Sequence, residues 1–100
     1  MAMETLAQSL ERLSAEGYVD AYRAERDGLR SLGDGTIHLP ESLHVDEIVR
    51  FEGDSDPSDE SAVFALSSES GERKGTYTVG YGSLMDALDA AIVRRLRSDS

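Results

Sequence analysis

The stretch VRFEGDSDPSDESAVFAL, residues 49–66, decides how this chain folds. It ends in five consecutive apolar residues, Ala62 to Leu66. Such a run has no polar face to turn to water, so it predicts a central strand covered on both sides. It begins inside an alternating segment over 45–52. There Val45, Val49 and Phe51 fall on one side with Glu47, and Ile48, Arg50 and Glu52 fall on the other with Asp46. Residues 53–60 between the two are too few for a crossover, so the flanking strands are expected to be antiparallel neighbours. Five carboxylates (Glu52, Asp54, Asp56, Asp59 and Glu60) crowd nine residues there. Pro57 and the three aspartates are turn formers, which reads as a strand connection.

The same reading extends in both directions. Leu6, Leu10 and Leu13 form one stripe at helical spacing, predicting a helix over 4–16 with Gly17 at its left-handed C′ position. Tyr18, Val19 and Tyr22 favour a strand over 18–25, Arg26-Asp27-Gly28 a turn, and 29–32 a hairpin return. After the Gly33-Asp34-Gly35 turn, 36–39 reads as a short strand. Pro40 stops it and suits the first position of a single helical turn over 40–43. Beyond the central run, Gly71 marks a turn, and Tyr77, Val79 and Tyr81 alternate with Thr76, Thr78 and Gly80 in a strand over 75–81. Ser83 with Asp86 approximates a capping box for a last helix whose stripe is Met85, Leu88, Ile92 and Leu96. Arg94, Arg95 and Arg97 close it, where cations complement the helix dipole.

Element order and short connections give the expected architecture. It is a single α+β domain over 1–100, with 98–100 as a frayed end. A two-layer antiparallel sheet of four to five strands carries an N-terminal and a C-terminal helix, both on one face.

Composition narrows the function. The chain has 100 residues, twenty acids against ten bases, and a net charge of −10. Lys74 is its only lysine beside nine arginines. This much negative charge repels phosphate backbones and anionic lipid, so neither a nucleic-acid nor a membrane partner is expected. Acids spread along the whole chain resemble the halophilic type of surface, solvated in a salt-rich cytoplasm. There is no cysteine, so no disulfide or thiolate site is available. The first residues lack a basic and apolar leader pattern, and the longest apolar run is far short of a membrane span. A soluble, cytoplasmic protein is expected, as a monomer or weak homodimer.

Chemistry-bearing motifs are few. An EF-hand counted from Asp54 finds oxygen donors at Asp54, Asp56 and Ser58. It has Asp59 where glycine is needed and Ala65 where the bidentate glutamate belongs. Asp54, Asp56 and Asp59 therefore form at best a weak cation site, and no cofactor is expected. His38 and His44 match no metal spacing and have no evident catalytic partner. No serine sits in a nucleophile elbow. The candidate ligand-binding residues are Arg50, Glu52 and Tyr81, an arginine that could grip an anion with a glutamate two residues on and a tyrosine.

One resemblance covers nearly the whole chain. Glu16-Gly17-Tyr18, Arg50-Phe51-Glu52-Gly53, Asp56-Pro57, the apolar run, Gly75 and Tyr81-Gly82 resemble a family of small uncharacterised proteins of about this length. Many of its members carry the label phosphoribosylpyrophosphate synthetase. The resemblance implies a shared fold and no established activity. The label would need Asp46-Glu47 to lead into a small, hydroxylated, glycine-rich phosphate loop. Arg50-Phe51-Glu52-Gly53-Asp54 follows instead, bulky and negative. The expectation is a non-catalytic accessory or interaction module. The alternative is a binder of a small anionic ligand, or an enzyme, built on Arg50, Glu52 and Tyr81.

Overall fold

A computed structural model describes residues 5–51, 61–80 and 86–97. Helix α1 (Leu6–Ala15) leads into strands β1 (Asp20–Glu25), β2 (Gly28–Ser31) and β3 (Ile37–His38). A single 3-10 turn (Pro40–Ser42) precedes β4 (Leu43–Phe51), β5 (Ser61–Ser68), β6 (Lys74–Gly80) and helix α2 (Ala87–Arg97). The α+β class stands, with a helix at each end of a mostly antiparallel sheet. The sheet has six strands instead of four or five, in the order β3-β2-β1-β6-β5-β4. Both short segments, read at 29–32 and 36–39, take part in the sheet. β2 and β3 are only four and two residues long, yet Leu29 pairs with His38 and Arg30 with Ile37.

The ends of α1 follow from local chemistry. Thr5 Oγ1 accepts from Gln8 N at 3.1 Å, and Gln8 Oε1 accepts from Thr5 N at 2.9 Å, a reciprocal capping box. At the other end Gly17 takes φ 107°, Tyr18 N donates to Leu13 O at 2.9 Å, and Gly17 N donates to Ser14 O at 3.1 Å. Those two bonds make a Schellman motif, with glycine at C′ as expected. Helix α2 begins later than the sequence suggested. Asp86 precedes its first residue, and its carboxylate accepts from Leu88 N at 3.0 Å, so Asp86 itself caps the helix. Ser83 and Met85 lie outside the described residues. Ile92, Val93 and Leu96 are buried, whereas Leu88 is exposed and off the packed stripe.

Two three-stranded antiparallel meanders, β1-β2-β3 and β4-β5-β6, meet along a short parallel seam. Asp20 pairs with Gly75 and Ala21 with Thr76. Antiparallel pairing was expected throughout because parallel neighbours need a long crossover. That rule holds for strands adjacent in sequence. β1 and β6 are joined by the other four strands, which supply the length. The seam is tight at Gly75, where an added Cβ would lie 2.8 Å from Asp20 O and 2.8 Å from the Tyr22 ring.

The helices lie on opposite faces, giving three layers where two were expected. Along β5, Ala62, Phe64 and Leu66 join the core containing Ile92, Val93 and Leu96 of α2. Val63 and Ala65 join the smaller core containing Leu13 of α1, with Leu10, Tyr18 and Phe51 against it. A strand apolar on both faces needs cover on both, so one helix on each side is what residues 62–66 require.

The α2 face is the concave one. The five Cα steps from His38 to Leu43 reach at most about 18 Å. Six flat strands would place their outermost pair about 24 Å apart. The sheet must therefore curl, and its larger core unites Leu29 of β2 with Leu43 of β4 under α2. Arg95 of α2 bonds Glu41 in the connecting turn, Nε to Oε2 at 2.6 Å and Nη2 to Oε1 at 2.7 Å.

A bulge resets β4. Val45 faces Leu66 and Glu47 faces Ala65, leaving Asp46 as the extra residue. Cross-strand partners share a face, so Val45 joins the α2 side while Glu47, Val49 and Phe51 take the α1 side. Simple alternation had placed Val45 with Val49 and Phe51. Glu47 meets Arg12 of α1 there, with Nη2 donating to Oε2 at 2.8 Å.

Candidate functional site

Helix α1 covers only half of its face. It packs over Val63 and Ala65, and the same face of β1-β2-β3 carries no helix among the described residues. The register assigns that bare surface. Ala21 lies beside Thr76, Arg23 opposite Arg30, and Arg30 opposite Ile37. Leu32 continues β2 opposite Ala21, its N–H donating to Ala21 O at 2.8 Å. Val19 is 78% exposed, Leu32 59% and Ile37 39%. Arg23 is exposed among them. Arg30 is held flat against the sheet by Glu25 (Nε to Oε2 2.6 Å, Nη2 to Oε1 3.0 Å). The hydrogen bond from Arg30 pulls the Glu25 carboxyl below its ordinary pKa, so the pair stays charged.

A polar network fixes the loop that carries Leu32. Asp20 accepts from the Ser31 hydroxyl, from Ala21 N at 2.8 Å and from Gly33 N at 3.1 Å. Asp34 accepts from Thr36 N at 3.0 Å, from Thr36 Oγ1 at 2.7 Å, and from Arg73. Thr36 N–H, the Thr36 hydroxyl and Arg73 together hold the Asp34 carboxyl far below the usual carboxylate range. His38 Nε2 lies 2.9 Å from Thr36 Oγ1. Because that hydroxyl already donates to Asp34, it receives from His38, so the imidazole is a donor and no base is aimed at a nucleophile. Tyr22 Oη is buried nearby with no hydrogen-bond partner among the described residues. The network immobilises residues 31–36 and offers no catalytic arrangement.

Arg50 is exposed on β4, opposite Ala62 on the α2 side. Glu52, Tyr81, Asp54, Asp56 and Asp59 lie outside the described residues. The acidic pair of the phosphoribosyl comparison is engaged within the chain. Asp46 accepts from Tyr18 Oη at 2.8 Å, and Glu47 from Arg12. Among the described residues no group of three His, Cys, Asp or Glu side chains could hold a metal ion, and no helix is long and apolar enough to cross a membrane.

The β4 bulge also bounds a cleft of about 580 Å³. Val45, Ile48 and Leu96 give it an apolar wall, and His44, Asp46, Glu69 and the serines at 67, 68 and 70 give it a polar rim. Arg50 is not in its lining. Sequence reasoning missed both surfaces. The bare sheet face depends on where α1 lands, and the cleft depends on the bulge. The exposed pair Val19 and Leu32, each beside a glycine-containing turn, was the one available signal.

Comparison with protein-family models, with curated proteins and with solved structures gave no match.

Proposed function

We propose that this chain is a cytoplasmic, non-catalytic interaction module, and that it docks a partner protein through the bare face of β1-β2-β3. The observation that carries the reading is the half-finished layer on the α1 side. A sheet face is stable when an element covers it, and α1 covers only the β5-β6 half. Val19, Leu32 and Ile37 stand in water on the other half. An exposed apolar cluster with a rigid polar frame is the usual mark of a contact surface. The occupant that fits is a partner helix laid beside α1, apolar toward Leu32 and Ile37 and acidic toward Arg23. A second copy fits less well, since each copy carries a net charge of −10.

The test is affinity capture from native lysate with the wild type and with Leu32→Ser/Ile37→Ser, both checked for folding by circular dichroism. A partner at stoichiometric yield, lost with the double variant, supports the reading. Equal capture by both proteins, or capture of nothing, refutes it.

A further inference from the structure

We infer that the β1-β2-β3 meander is a hinged flap, which opens as one body along the parallel seam while β4-β5-β6 and both helices stay folded. Among the described residues, its backbone pairing to the rest of the sheet is that seam alone. The register there stops after Asp20–Gly75 and Ala21–Thr76. By contrast, β4 pairs with β5 from Leu43–Ser68 to Phe51–Ser61, and β5 with β6 from Ser61–Gly80 to Ser67–Lys74. Across the seam Arg73 pairs with Asp34, but the two side chains are 44% and 40% exposed, so water screens the pair and it adds little.

Inside the meander the bonds are dense, and dense internal bonding is what makes a segment open as a unit. Asp20 ties the start of β1 to Ser31 and Gly33. Arg30 ties β2 to Glu25 and, through Nη1, to Gly35 O at 2.9 Å. Thr36 links Asp34 to His38, and the His38 ring stands edge-on to Tyr22 with centroids 5.9 Å apart. Apolar burial holds the meander on one face only. Tyr22 and Leu29 reach the larger core, whereas Leu32 and Ile37 are exposed on the other face. Tyr22 also buries a hydroxyl with no hydrogen-bond partner among the described residues, which favours a state where water reaches it.

The hinges are exposed residues set beside anchored ones. On the entry side Tyr18 is held to β4 by Asp46 at 2.8 Å, and Val19 after it is 78% exposed. On the exit side Glu41 is held to α2 by Arg95 at 2.6 Å, and Leu39, two residues before it, is 55% exposed. Rotation at Val19 and Leu39 swings the meander and leaves α1 and β4 in place. The swing bares Tyr22 and Leu29, so the open form is a minor state in equilibrium with the closed one. Opening requires no partner, so it stands or falls apart from the docking reading.

The experiment is native-state hydrogen exchange of the full chain, amide by amide, at rising sub-denaturing urea. Amides of β1 and β2 are expected to converge on one opening with a smaller urea dependence than β5, exchanging at least about tenfold faster than β5. A disulfide across the seam supplies the second measurement. Ala21 and Thr76 are register partners, and the chain has no native cysteine. Neighbouring strands lie about 4.8 Å apart, within the Cα span a disulfide bridges. In Ala21→Cys/Thr76→Cys, oxidation is expected to slow β1 and β2 to the rate of β5, and reduction to restore the faster exchange. If β1 and β2 exchange with the urea dependence and rate of β5 in the wild type, the chain opens as one body and the inference is overturned. Fast exchange with no urea dependence is local fraying and overturns it too, as does fast exchange that survives oxidation. The wild-type profile decides by itself should the double variant fail to fold.

Discussion

Single residues carry the tightest geometry in this fold, and Gly75 carries the most. Alanine there would push a methyl group to 2.8 Å from Asp20 O and the Tyr22 ring, against backbone that cannot give without opening the seam. Gly75→Ala is expected to cost about 1–3 kcal/mol, the range for overpacking a filled site, measured as a lower urea midpoint. Gly80 is the control, since nothing lies within 4 Å of its missing Cβ and its φ is not positive. Tyr18 gives a pH signature. Burial, then its hydrogen bond to Asp46, raises the Tyr18 phenol from 10.0 to about 12. A raised pKa in the fold means the stabilisation is complete below about pH 10 and is lost as pH rises towards about 12. Burial raises the Tyr22 phenol as well, so ultraviolet titration should find late ionisation at both Tyr18 and Tyr22, with Tyr18→Phe removing one of the two and flattening the alkaline loss of stability. Gly17 and Pro40 were readable from sequence because their roles are local: a positive φ after a helix, a fixed φ before a turn. Gly75 was not, because its constraint comes from Asp20, far away in the chain.

Elements were readable where pattern and period agree. Residues 62–66 announced a strand buried on both faces, and the leucine stripe announced α1. β4 was readable in extent but not in facing. One extra residue, Asp46, turns Val45 to the opposite side, and periodicity carries no sign of a bulge. This gives a sharp contrast between two deletions. Removing Asp46 leaves Val45 opposite Leu66 and Glu47 opposite Ala65 in regular register, so the chain should still fold. It should lose about 1 kcal/mol with the Tyr18 hydrogen bond and become more prone to edge-to-edge association. Removing Ile48 together with Asp46 leaves one residue too few, shifts Leu43 and Val45 off the core face and should abolish cooperative melting. Thermal melts with light scattering separate these outcomes. The cap of α2 was misplaced by three residues because Ser83 and Asp86 are both good N-cap types, and sequence does not rank them.

At the scale of the whole molecule, the class was legible and the layering was not. Counting apolar residues on 62–66 called for two covering layers, but which helix goes where depends on which residues of distant strands join each core. The parallel seam joins residues 20–21 to 75–76, a pairing that no local window contains. The candidate site shared this limit. Arg50 was found by type, whereas the bare sheet face follows only from where α1 stops. Net charge, by contrast, is global and additive. Folding brings twenty acids and ten bases together, and the Debye length falls from about 30 Å at 0.01 M salt to about 3 Å at 1 M. The melting temperature should therefore climb steadily with potassium chloride, and a temperature indifferent to salt would show that self-repulsion is negligible. The docking face is tested most directly by a photo-crosslinking amino acid placed at Leu32 or at Ile37, with Leu88 on α2 as the exposed apolar control. Irradiation in cells should give one shared, discrete adduct from Leu32 and Ile37 and none from Leu88. Adducts from Leu88 alone, or none from the sheet face, would contradict a partner on β1-β2-β3.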